Sequence, residues 1–195
     1  GSKIYRNFSD PISSLQPGSI YMEKVMDIKN PTVGLVNIGT EETKGTTIIK
    51  SAYELLSKSS MRFVGNVEAR DIPKGVCDVF VCDGFTGNII LKLSEGLAWT
   101  IFKLLKQKFT SGIISKIGAL LLSDKLKELK AEFDYSEYGG APILGVKGAL
   151  VKTHGASNAN AVKNTILKGI PYAENNVVQI IQNSVLELEE IIISE

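Results

Sequence analysis

The residues with chemistry to offer sit in a few short polar turns, each following an apolar run and preceding a helical pattern. In NIGTEETKG, Asn37 to Gly45, Lys44 stands immediately before Gly45 and the threonines that open a helix, so its ammonium could reach an anion held at that helix start. A solvated loop lysine is the plain alternative. Asn37, where strand meets turn, can hydrogen-bond either the loop or a ligand. In DGFTGN, Asp83 to Asn88, the glycines Gly84 and Gly87 permit tight backbone conformations, Asp83 suits a turn and Asn88 suits a helix cap. Capping and catalysis both fit these two polar residues. In HGASN, His154 to Asn158, the single histidine is the side chain that titrates near neutrality and so the natural general base. Gly155, Ser157 and Asn158 follow it at an expected helix start suited to an anion, although a histidine bonded to a neighbouring loop fits as well.

Strands must deliver these turns. TVGLV precedes the first, VFVC the second and ALVKT the third, and in an open parallel sheet such turns gather at the carboxyl edge of the strands. Strands are expected at Thr32–Val36, Met61–Val64, Asp78–Cys82 and Ala149–Lys152, with Asp78–Cys82 apolar enough to be covered on both faces. Helical spacing predicts helices over Ser19–Ile28, Thr46–Ser57, Asn88–Phe109, Asp124–Phe133 and Ala159–Leu167, and a long terminal helix from Ala173. Ser9 to Pro17 reads as loop, and Gly1-Ser2 as an expression remnant. The alternation predicts a doubly wound, Rossmann-like three-layer α/β/α fold with a mostly parallel sheet and a protruding pair of helices, the hairpin 88–133. The domain is expected to run over 18–195, with 1–17 outside it.

With 195 residues, 44% of them hydrophobic, the chain can bury a real core, and its formal charge of +1 argues against general nucleic-acid binding. Charge is uneven: seven lysines between Lys103 and Lys130 face only Asp124 and Glu128, a basic face fit for an acidic partner or an anionic membrane. Between the basic helices lies GIISKIGALLL, where Ile113, Ile114, Ile117, Leu120, Leu121 and Leu122 form an apolar tip. Interfacial membrane contact is one use for such a tip, and a dimer contact or packing within the hairpin is the other. Cys77 and Cys82, on one expected strand, should point to opposite faces about 16 Å apart and cannot bridge. Without a disulfide framework, signal peptide or spanning apolar run, the cytoplasm is the expected compartment. Nucleotide fingerprints, a nucleophile elbow and a Cys/His zinc cluster are all missing, which counts against nucleotide and metal readings. Cys82 could be imagined as a thiol nucleophile, but nothing beside it would lower its pKa. DYSEYGGAPILGV, Asp134 to Val146, is too aromatic and glycine-rich for a plain linker, and Gly139-Gly140 would let another backbone approach closely in a cleft or a dimer seam.

Taken in order and spacing, NPTVGLVNIGTEETKG, FVGNVEARD, DVFVCDGFTGNIILKLSEG, DYSEYGGAPILGVKG and KTHGASNANAVKN resemble the C-terminal half of the bacterial acyl-ACP:phosphate acyltransferase family, called PlsX. The match runs from about Gly18 to Val178. Family members carry a preceding half whose first strand ends in an AVDAMGGD-like turn, and Lys3 to Pro17 does not match it. The resemblance implies that inorganic phosphate attacks the thioester of a long-chain acyl carrier protein, giving acyl phosphate for phospholipid synthesis without metal or organic cofactor. It implies Lys44 at the phosphate, His154 orienting or deprotonating it, and Asn88 with nearby backbone N–H groups at the thioester oxyanion. Asn37, Gly39, Asn66 and Asp83 would line the substrate site from the first half of the chain, with Gly84 and Gly87 beside them. Gly139, Gly140, Gly155, Ser157 and Asn158 would line it from the second. A homodimer and a peripheral association with the inner face of the cell membrane are implied too. A phosphotransacetylase, a decarboxylating dehydrogenase of the isocitrate type on a related fold, or a non-catalytic binding fragment stay open as alternatives.

Overall fold

The strand β1 (Thr32–Asn37) is buried from Val33 to Asn37 and pairs in parallel on both sides, with β2 (Arg62–Glu68) and with β3 (Val79–Val81). The computed structural model describes residues 11–132, 140–155 and 157–184. Asp78 sets the β1–β3 register: its Oδ2 accepts from the Thr32 N–H at 2.7 Å and the Thr32 hydroxyl at 2.6 Å. Those bonds hold the Asp78 carboxyl below the usual carboxylate range. The helix α2 (Thr47–Lys58) lays Ala52 and Leu56 on Val33 and Leu35, the core of this half.

A bulge interrupts β2. Val33 pairs with Phe63 but Leu35 with Asn66, so three residues of β2 span two of β1. Gly65, at φ 91°, takes the positive torsion this requires. The bulge shifts the side-chain phase by one, bringing Asn66 onto the face that Phe63 and Leu35 share. The strand therefore runs on past Val64, where the sequence pattern had ended it, and ARDIPK forms a 3-10 helix (Ala69–Lys74). β3 is short and only half-buried, so the continuous apolar run at 78–82 does not mark a strand covered on both faces.

At the start of the described chain, α1 (Pro11–Lys24) replaces the loop expected to Pro17. Pro11 opens the helix where its missing N–H costs nothing, and the ring of Pro17 is fully buried within it. The helix stops before the expected Ile28, and Asp27 then turns the chain at φ 56°. α1 touches both α2 and β3 on one side and the C-terminal helices on the other.

The protruding part is three helices rather than two: α3 (Gly84–Phe109), α4 (Ile113–Leu121) and α5 (Ser123–Glu132). Extended Gly112 ends the connection from α3 and caps α4. A second sheet pairs β4 (Ala141–Ile143), which the glycine-rich pattern hid, antiparallel to β5 (Leu150–Lys152), the strand expected at 149–152. α6 (Ala159–Glu174) carries through Gly169 and Pro171 to Glu174, and a turn with Asn176 at φ 51° leads into the last described helix, 177–184. Tyr172, Val177 and Ile181 form the second core, against Ile20 and Tyr21 of α1. The whole is a Rossmann-like α/β fold with a mostly parallel sheet.

Leu56 is fully buried at the sheet–helix seam, with 0% of its surface exposed. Leu56→Ala should lower unfolding free energy by about 2–5 kcal/mol in urea titrations, as large-to-small core changes do; a loss below about 1 kcal/mol would contradict this placement.

Candidate active site

Because β1 and β3 run parallel and Leu35 pairs with Val81, the turns that follow them leave the sheet at the same edge. The first, residues 38–46, is pinned from below. The Asn37 Oδ1 accepts from the Ile38 N–H at 2.8 Å and its Nδ2 donates to the Lys44 carbonyl at 3.1 Å. Asn66 donates from Nδ2 to the Glu41 carbonyl at 2.9 Å. Its Oδ1 is buried without a partner among the described residues, which carries a cost of about 1–3 kcal/mol unless water meets it. Gly45, at φ 89°, is required here because a Cβ would come within 2.5 Å of the Asn37 Oδ1. Lys44 is exposed, its stem passing Gly39, and no ion pair engages its ammonium among the described residues. Tyr53 of α2 donates to the Glu42 carboxylate at 2.8 Å, tying the turn to the helix and holding the Tyr53 phenol above its ordinary range.

In the second turn Asp83, not Asn88, is the helix cap. Its Oδ1 accepts from the N–H groups of Phe85 and Thr86, both at 2.9 Å, and its Oδ2 from the Thr86 hydroxyl at 2.5 Å. Burial by itself raises the Asp83 carboxyl, but these bonds outweigh it and the net shift is downward. The helix therefore begins at Gly84, and Asn88 sits exposed in its second turn. Gly87 is buried and donates to the Asp83 carbonyl at 2.9 Å. Burial first, and then the charge of Asp83, push the Cys82 thiol up, so a thiolate is disfavoured there; both cysteines are free.

The third turn belongs to the other sheet. His154 and Gly155 are exposed after β5, Ser157 donates its N–H to the His154 carbonyl at 3.0 Å, and Asn158 caps α6 by accepting from the Ala161 N–H at 2.9 Å. The strand pairings thus bring Lys44, Asp83 and Asn88 to one edge, while His154 arrives from a separate hairpin. Gly140 is packed where a Cβ would fall within 2.7 Å of the Lys152 carbonyl and 2.8 Å of Thr165, so close approach of β5 and α6 explains that glycine; Gly139 lies outside the described residues. The six apolar residues of the tip are all exposed or partly so, Ile114 to 87% and Leu121 to 82%. Among the described residues no group of His, Cys, Asp and Glu could hold a metal, and no helix is long and apolar enough to cross a membrane. Sequence reasoning missed the grip of Asn66 on Glu41 and of Tyr53 on Glu42; a glycine inside an expected strand, Gly65, was the signal for the first.

A parallel sheet with capped helix starts and a lysine-bearing turn at its carboxyl edge makes this an α/β protein of the Rossmann-like class, with its polar turns where such folds take ligands. The model of the fatty acid synthesis protein family matches residues 13–180, and the chain belongs to that family. It is 56% identical over 171 residues to the phosphate acyltransferase of Alkaliphilus oremlandii, covering 88% of this chain and 51% of that protein. Similar relatives are the phosphate acyltransferases of Brevibacillus brevis, 52% identical over 86% of this chain and 50% of theirs, and of Clostridium acetobutylicum, 51% identical over 88% and 52%. The chain spans about half the length of the curated relatives it matches.

Since the folded-state pKa of Asp83 is depressed, its cap stabilises α3 above the ordinary carboxylate value, about 3.9, and the benefit fades as pH falls through the lower folded value. Asp83→Ala should cost about 0.5–2 kcal/mol at neutral pH, with the deficit narrowing on acidification in paired denaturation series. A deficit that stays constant with pH would mean the cap does not depend on the charged carboxylate.

Proposed function

We propose that the protein is an acyl-ACP:phosphate acyltransferase, transferring a long-chain acyl group to inorganic phosphate for phospholipid synthesis. The observation that carries this reading is the 56% identity to a phosphate acyltransferase over 171 residues of this chain. A phosphate oxygen forms a bond to the thioester carbonyl carbon, the C–S bond breaks, the carrier thiolate leaves, and the phosphate proton ends on sulfur. Lys44 supplies fixed positive charge to the phosphate and His154 orients or deprotonates it. Because Asp83 already engages the N–H groups of Phe85, Thr86 and Gly87, oxyanion donation at that turn falls to the Asn88 amide.

The helical arm serves the lipid side. Lys125 pairs with Glu128 and Lys127 with Asp124, which leaves Lys103, Lys106 and Lys108 on α3 as the better surface for an acidic carrier protein. Lys103 lies 5.0 Å over the Trp99 ring. The tip of α4 meets the membrane surface from the cytoplasmic side, and the exposed stripe of Leu93, Leu97, Ile101 and Leu104 suits a homodimer.

In the complete enzyme, Lys44→Ala and His154→Ala should each suppress acyl-phosphate formation, and Asn88→Ala should lower its rate by about 10²–10³. Near-parental rates for Lys44→Ala and His154→Ala would put the site elsewhere. Replacing Ile114, Leu120 and Leu121 by serine should abolish binding to anionic liposomes while turnover of dissolved substrate continues; unchanged liposome binding would refute the membrane role.

A further inference from the structure

We propose that Asn66, together with Asn37, is a positioning residue for Lys44: two buried amides from adjacent parallel strands hold the two carbonyls that bracket the lysine's turn. This rests on the reading of Lys44 as the phosphate ligand.

Asn37 and Asn66 are only 6% and 7% exposed, so they face the turn rather than the open edge. The Glu41 carbonyl accepts twice, from the Lys44 N–H at 3.1 Å and from the Asn66 Nδ2 at 2.9 Å, and the Lys44 carbonyl accepts from the Asn37 Nδ2 at 3.1 Å. The segment Glu41–Lys44 is thereby gripped at its first and last residues. The grip from β2 depends on the bulge, because a regular strand would set Asn66 opposite Val36 rather than Leu35 and turn it to the other face. Gly65, with its φ of 91°, is the residue that permits the bulge. An exposed lysine on an unsupported turn would sample many positions, and a ligand would have to order the turn at its own expense in affinity. The amide clamp does that ordering in advance. Nδ2 makes the only hydrogen bond of the Asn66 side chain among the described residues, so its donor is what the turn uses.

Two measurements on the complete enzyme test this. Hydrogen exchange of the amides at 41–45 should accelerate at least about tenfold in Asn66→Ala and in Asn66→Asp, which keeps the shape but loses the donor, while the amides of α2 stay protected. Exchange unchanged in the turn would overturn the clamp whatever phosphate does; if Asn66→Ala fails to fold, Asn66→Ser carries the same comparison. In calorimetric titration with inorganic phosphate, Asn66→Ala should weaken binding about tenfold in the parent and less than about twofold in the Lys44→Ala background. An equal loss in both backgrounds would mean that Asn66 acts without Lys44, and would overturn the positioning role. Lys44→Ala binding phosphate as tightly as the parent would instead defeat the assignment of Lys44, with the exchange experiment still deciding the clamp.

Discussion

Parallel pairing on both sides of β1 is the constraint from which the rest of the edge follows. A shift of one residue in β1 would turn Val33 and Leu35 away from Ala52 and Leu56 onto the opposite face, so its end is fixed against both neighbours. Thr32 and Asp78 lock the start of the β1–β3 pair, and Leu35 opposite Val81 then delivers two turns to one edge. On the other flank the bulge in β2 rotates Asn66 under the first of those turns. Position at this edge is thus inherited from backbone register, with side-chain bonds fixing the turn afterwards.

The helical arm obeys a different logic. α3 runs for 26 residues, about 39 Å, and most of its large apolar side chains stay exposed. Burial in this chain holds the sheet and the second core around Tyr172, whereas the arm presents surface. Basic and apolar positions divide that surface. Trp99, Lys103 and Lys106 lie roughly opposite the stripe of Leu93, Leu97, Ile101 and Leu104, so one helix offers distinct faces to partners of different chemistry.

Strong periodicity made the helix of 47–58, the helix of 84–109 from Asn88 onward and the strand β1 legible from sequence, and the order of motifs was enough to identify the family. What escaped had physical causes. The first part of the helix over Pro11–Lys24, before the expected start at Ser19, was hidden by its prolines, one of which opens it and the other of which is buried in it. β4, the partner of the expected strand at 149–152, was masked by glycines at Gly139, Gly140 and Gly145 around its three residues. Asn88 looked like a cap because it precedes an apolar run, yet Asp83 accepts two backbone N–H bonds and starts the helix at Gly84. Asn37, Asp83 and Asn158 each make bonds that hold a turn or start a helix. Whether each grips the turn or faces the edge depended on a bulge and on burial, neither of which a list of motifs contains.

In the proposed reaction, phosphate itself is the nucleophile toward an acyl thioester at this edge. Attack through a phosphate oxygen leaves every P–O bond intact, whereas hydrolysis takes its oxygen from water. The most direct measurement is mass analysis of the product formed by the complete enzyme from an acyl carrier protein thioester and fully ¹⁸O-labelled inorganic phosphate. The account predicts acyl phosphate that retains all the labelled oxygens, in equal amount to the released carrier thiol. Release of the thiol with unlabelled free fatty acid as the primary product would contradict it.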